Sequence, residues 1–227
     1  MPPAYAAYAG RMPVTLHARA VLLDMDGTLV DSTAVVERLW WEWAAPHGLD
    51  RETVLHTVHG RQGWQSMAML LPDRDPAINR AENEDMLRQE SSELDGVVEI
   101  PGAALLLAAL AEHPHAIVTS ADLRLLTARM GAAGLTMPAL SITAESVLAS
   151  KPDPEGFLLG ARGLGMAPAD CVVFEDSGAG IAAARAAGMR VIGVGAASAR
   201  HSPDHVIDDL RGVSVAATAE GFTITLP

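Results

Sequence analysis

The 227-residue sequence carries 16 basic and 28 acidic side chains, a formal charge of −12, with 49% apolar and 19% charged residues. Such a chain has room for one large domain, or for a main domain with a smaller insert, and its composition is globular, not disordered. The acidic balance disfavours nucleic acid and anionic membrane as partners, so an anionic ligand needs a local positive site or a metal.

The opening MPPAYAAYAGRMPVTLHARA has prolines and no continuous apolar run after a basic start, which argues against a signal peptide. No window holds the ~18 uninterrupted apolar residues of a membrane span, so the cytoplasm is the expected compartment. A strand is predicted over Arg19–Asp24. From Thr33 to about Leu94 the pattern turns helical and contains all four tryptophans. VVERLWWEWAAPHGL reads as an amphipathic helix ended at Pro46 and His47-Gly48, and AINRAENEDMLRQESSEL as a second, solvent-facing along most of its girth.

Beyond Ile100 strands and helices alternate. HAIVTS (115–120) is a strand, ADLRLLTARMGAAGL a helix, and ALSIT (139–143) a short strand. PEGFLLGARGLG is a helix opened by Asp153 as cap and Pro154 in its first turn. CVVFE (171–175), SGAGIAAARAAG (177–188) and RVIGVG (190–195) complete a β-α-β series, and the tail from Arg211 suits an edge strand or hairpin. The predicted fold is α/β: a Rossmann-like parallel sheet with helices on both faces, plus an inserted all-helical cap. The core would comprise residues 1–32 and 96–227, and the cap residues 33–95. Cys171 is the single cysteine, so no intrachain disulfide forms, and its apolar neighbours mark it as a core residue.

In an open parallel sheet, ligands bind beyond the carboxyl ends of the strands. The first strand ends in Asp24 and Asp26, which would share a side if the strand continued. Buried like charges of this kind are costly unless paired or bound to a metal. The second strand ends in Thr119-Ser120, the loop after the third carries Lys151, and CVVF ends in Glu175-Asp176. Carboxylates, a hydroxyl and one lysine are what Mg²⁺-dependent phosphoryl transfer needs, because a carboxylate nucleophile meets a phosphate dianion only when cations cancel the repulsion. Each residue alone has an ordinary reading, as turn, strand-end cap or surface lysine. Only their joint placement argues otherwise.

These residues resemble the four motifs of the haloacid dehalogenase superfamily. DMDGTLVDS (24–32) is similar to its D-x-D-G-T-[LI]-x-D-S, Ser120 to its second motif, Lys151 in SKPDPEGF to its third and Glu175-Asp176 to its fourth. The resemblance implies that Asp24 is a nucleophile forming an aspartyl-phosphate and Asp26 a general acid and base with its backbone carbonyl on Mg²⁺. It implies phosphoryl binding by Ser120, Lys151 and the Met25 and Ala121 amides. It makes Asp176 a metal ligand, with Glu175 assisting from behind and supporting Lys151. The metal-site candidates are therefore Asp24, Asp26, Glu175 and Asp176.

The insert resembles the caps of the subfamily holding β-phosphoglucomutase and the sugar and polyol phosphatases. His59-Gly60-Arg61-Gln62 interrupts its helical pattern, and Arg61 is either a specificity residue or a solvated arginine. His56 and His59 read as cap surface or substrate contacts. The expected activity is hydrolysis of a small sugar or polyol phosphate, with no nucleic-acid or membrane partner and the oligomeric state left open. A phosphoglucomutase is the alternative, disfavoured because mutases of this group carry a histidine where this sequence has Val36. Asp26 argues against dehalogenase chemistry, and the absence of lysine from 33–99 excludes the cap lysine of phosphonate hydrolases. A receiver-like phospho-acceptor domain would be shorter and lack both the DGTL turn and a cap.

Overall fold

The computed structural model describes residues 13–227. The expectation about a leader falls mostly on residues 1–12, outside the described residues. The first described elements are β1 (Val14–Ala18), which was not predicted, and β2 (Ala20–Leu23), which falls on the strand predicted over Arg19–Asp24. All four residues of β2 are buried, as a strand covered on both faces requires. After β3 (Val30–Asp31) come four helices: α1 (Thr33–Ala44), α2 (Arg51–Val58), α3 (Gly63–Leu70) and α4 (Pro76–Ser92).

Local chemistry sets their ends. Pro46 and Gly48, in the left-handed conformation at φ 68°, stop the run from α1. The Asp50 carboxylate accepts from the Thr53 amide to open α2, and Asp75 accepts from the Ala77 amide to open α4, with Pro76 in its first turn. The helices enclose their own apolar cluster of Trp40, Ala44, Val54, Val58, Met67 and Met86. Helix α4 is less solvated than its charge suggests, since Asn79, Met86 and Glu90 on it are buried.

The chain returns through β4 (Val98–Glu99), which pairs antiparallel with β3. There follow α5 (Ala103–Leu110), β5 (His115–Val118), α6 (Leu123–Ala132), β6 (Ser141–Ile142), α7 (Glu155–Gly163), β7 (Cys171–Glu175), α8 (Gly178–Ala186), β8 (Arg190–Val194) and β9 (His205–Ile207). Helix α7 starts one residue later than its sequence signals suggest. Pro154 is the cap residue, and Asp153 accepts from the Glu155 amide just ahead of it.

The main sheet has six parallel strands in the order β6-β5-β2-β7-β8-β9. Alternate residues of β2 feed two apolar layers: Val21 and Leu23 face α5 and α6, while Ala20 and Leu22 face α7 and α8. The tail forms the hairpin β10 (Ser214–Thr218) and β11 (Gly221–Leu226), but it does not edge the main sheet. It pairs with β1 in a separate antiparallel sheet of order β1-β11-β10. Phe222, Ile224 and Leu226 are buried on one side of β11 and join the first apolar layer, which explains why this face is covered. The edges of the main sheet are β6 and β9.

Strand β2 lies at the centre, between β5 and β7, so the carboxyl ends of these three strands form the crevice where sheet order reverses.

Candidate active site

A cavity of about 720 Å³ opens at that crevice, between the strand ends and the four-helix insert. Asp24 follows β2, Ser120 lies two residues past β5, and Glu175 ends β7 with Asp176 next. Gly27, at φ 80°, lets the chain turn immediately after Asp26. A Cβ there would stand 2.1 Å from Asp176 Oδ2, so only glycine admits the Asp176 carboxylate.

Lys151, the only lysine in the sequence, is buried and donates from Nζ to Asp24 Oδ1 at 2.5 Å and to Glu175 Oε1 at 2.8 Å. Burial works to lower its pKa, but the two carboxylates outweigh burial and hold it above the ordinary lysine value. Glu175 is fully buried, and its other oxygen accepts from the Ser177 amide at 2.6 Å and hydroxyl at 3.0 Å. Both of its oxygens are therefore committed, and Glu175 acts as the bracket for Lys151. Gly180 makes room for it, since a Cβ there would fall 1.5 Å from Oε1.

Asp24, Glu175 and Asp176 offer carboxylate oxygens within 4.8 Å of one another. One lysine does not balance three carboxylates. Burial pushes the Asp24 pKa up to about 7, with Lys151 opposing and Glu175 adding to the rise. Burial, then Glu175 and Asp24, drives Asp176 well above the ordinary carboxylate range. A hard divalent cation on Asp24 and Asp176 would relieve this excess, so the donor set fits Mg²⁺.

Asp26 stands apart from that cluster. Its Oδ1 accepts from Ser32 Oγ and its Oδ2 from Arg129 Nη1, both at 2.7 Å, so its side chain is engaged away from the Asp24–Glu175–Asp176 group. Arg129 also donates to Glu90 Oε2 at 3.0 Å. Ser120 Oγ donates to the Gly60 carbonyl at 3.1 Å, joining the α2–α3 loop to the end of β5. The Ala121 amide, expected to face a phosphate, instead donates to Thr119 Oγ1 at 3.1 Å. Arg61, His56 and His59 line the cavity, and burial lowers the His59 pKa.

Sequence reasoning did not single out Arg129 or Glu90. Glu90 sits on a helix read as solvent-facing along most of its girth and Arg129 on one read simply as a helix, and only the buried positions within the local periodicity could have marked them.

Residues 18–188 match the haloacid dehalogenase-like hydrolases. The chain is 40% identical over 214 residues to hexitol phosphatase A of Escherichia coli (strain K12), covering 92% of this chain and 99% of that one. It is 32% identical over 196 residues to glycerol-1-phosphate phosphohydrolase 2 of Saccharomyces cerevisiae, covering 80% and 76%. Its fold matches that of β-phosphoglucomutase from Clostridium difficile with a TM-score of 0.74 at 22% identity, covering 85% and 92%.

Proposed function

Since this chain belongs to the haloacid dehalogenase-like hydrolases and is a phosphatase, we propose that it hydrolyses a small sugar or polyol phosphate with Mg²⁺, through an aspartyl-phosphate on Asp24. The observation that carries this reading is the buried Lys151 bridge between Asp24 and Glu175, set behind Asp24 and Asp176, which line the cavity.

Asp24 is the nucleophile, with Oδ1 already oriented by the lysine. Asp24, Asp176 and the Asp26 carbonyl would hold the metal, with Glu175 steadying Lys151 behind them. Mg²⁺ there would supply charge compensation for the substrate dianion. Lys151 and Ser120 hold the transferring phosphoryl oxygens. For Ser120 this means exchanging its bond to Gly60, because a hydroxyl has one proton to donate. The Ala121 amide likewise must leave Thr119 to reach phosphate. Asp26 protonates the departing alkoxide and then takes a proton from the attacking water, which is acid–base work worth about 10²–10⁴ in rate.

Residues 33–95 are the cap over a core of residues 1–32 and 96–227, and Arg61 on its loop is a specificity contact. Val36 on the cavity wall favours hydrolysis over mutase chemistry, since the resemblance places a mutase histidine there. The relatives' names support hexitol and glycerol phosphates as the substrate class. Among the described residues no helix is long and apolar enough to cross a membrane, and we place the enzyme in the cytoplasm.

The test is phosphate release from a panel of hexitol, sugar and glycerol phosphates with Mg²⁺. Turnover abolished by Asp24→Asn and by chelation supports the reading; no turnover of any small ester would sink it. Conversion of β-glucose 1-phosphate to glucose 6-phosphate without free phosphate, given a trace of bisphosphate, would reverse the choice in favour of a mutase.

A further inference from the structure

Arg129 lies in the last turn of α6, is 2% exposed, and among the described residues is the only charged donor on the Asp26 carboxylate. Its two terminal nitrogens serve two carboxylates from different parts of the chain: Nη1 goes to Asp26 and Nη2 to Glu90 on α4. Its Nε is buried with no partner among the described residues, so within them those two carboxylates hold the guanidinium. Glu90, in turn, is buried at the end of α4, just before the chain leaves the helical insert.

A carboxylate held through one oxygen can swing about that bond. Donors on both oxygens, from two separate elements, fix its plane. Ser32 on one side and Arg129 on the other do this for Asp26, while Glu90 fixes the guanidinium.

We propose that Arg129 is a positioning residue for Asp26, and that Glu90 positions Arg129, so that helix α4 sets the aim of the carboxylate that transfers protons to and from the substrate. The inference rests on the phosphatase reading above. Arg129 touches no reacting atom in this role; it acts through Asp26. Its loss therefore matters where a proton must reach the leaving group. A polyol alkoxide requires that proton. A p-nitrophenolate leaves without it.

The experiment measures single-turnover phosphorylation of Asp24 by glycerol phosphate, or the best polyol phosphate of the panel, and by p-nitrophenyl phosphate. In Arg129→Met the polyol phosphate rate falls about 10- to 100-fold, the scale of a misplaced acid. The p-nitrophenyl phosphate rate falls less than about threefold, since its leaving group draws little on the acid. KM for the polyol phosphate stays near that of the wild type. Arg129→Lys, a point charge in place of a fork, recovers part of the loss. Glu90→Gln keeps the side-chain size, shows the same substrate-dependent pattern with a smaller loss, and carries the test if Arg129→Met fails to fold.

Equal losses with both substrates, a loss residing in KM, or unchanged rates in folded protein would each overturn the inference while leaving the phosphatase reading intact. No phosphorylation of the wild type by either substrate would overturn both.

Discussion

Replacing Lys151 by methionine keeps most of the side chain's volume and removes its charge. In the structure the ammonium lies 2.5 Å from Asp24 and 2.8 Å from Glu175, with all three side chains at most 8% exposed. Removing one partner of such a buried pair costs about 3–5 kcal/mol, because the remaining charges stay buried without compensation. In a chain of this size each kcal/mol moves Tm by about 2–4 °C, so a fall of roughly 6–20 °C is expected at pH 8.

The sign of the pH effect follows from linkage. Burial already holds Asp24 near pH 7, above its ordinary value of 3.8, and loss of the lysine that opposes this raises it further. A carboxylate whose folded pKa exceeds its unfolded value binds more protons when folded, so its contribution to stability declines as pH rises through that window. The Lys151→Met deficit should therefore be larger at pH 8 than at pH 5.5. Thermal melts by circular dichroism at both pH values, without divalent cations, read it directly. A Tm within 2 °C of wild type at pH 8, or a deficit that ignores pH, would show that Lys151 does not compensate the carboxylates.

Gly60→Ala should loosen the α2–α3 loop. Its φ of 75° costs an alanine about 1–2 kcal/mol, and the new Cβ would stand 2.1 Å from Ser177 Oγ. The Ser120–Gly60 bond breaks as the loop shifts, and steady-state kinetics should show kcat/KM reduced at least tenfold on the scale of a misplaced binding group. In Glu90, burial pushes the pKa from 4.5 up to about 7 against the pull of Arg129. Wild-type stability therefore falls across that window relative to Glu90→Gln, by up to about 3 kcal/mol, measurable from urea midpoints at pH 4.5 and 7.5. Cys171 is buried, and burial raises its thiol to about 11. Iodoacetamide at pH 8 should leave it unmodified in the native protein, and an amine-acylating reagent should spare Lys151; mass spectrometry before and after denaturation reads one cysteine and one lysine.

The strand-end residues were legible because their signals are local. Asp24, Ser120, Glu175 and Asp176 each lie within two residues of the end of an apolar run, and topology brings the ends of neighbouring parallel strands together. Lys151 was readable only by its place after the third strand, since a lone lysine carries no mark of burial. Less legible were elements whose partners lie far away in sequence. Strand β1 was not read as a strand, and its pairing with β11 joins residues more than 200 positions apart, as Val14 does Leu226. The hairpin's own alternation revealed its strands but not the sheet they would complete.

By itself, then, the chain's order of apolar runs and turns determined the parallel sheet, the helical insert and the carboxylates, hydroxyl and lysine at its strand ends. Tertiary structure alone decided which charged helix residues turn inward. Arg129 and Asp26 are 103 residues apart, and Arg129 and Glu90 are 39 apart. In sequence, such charges look like those of any solvated helix face. Whether a charge is solvated or paired depends on which helix packs against which, and a pattern confined to one helix does not contain that information.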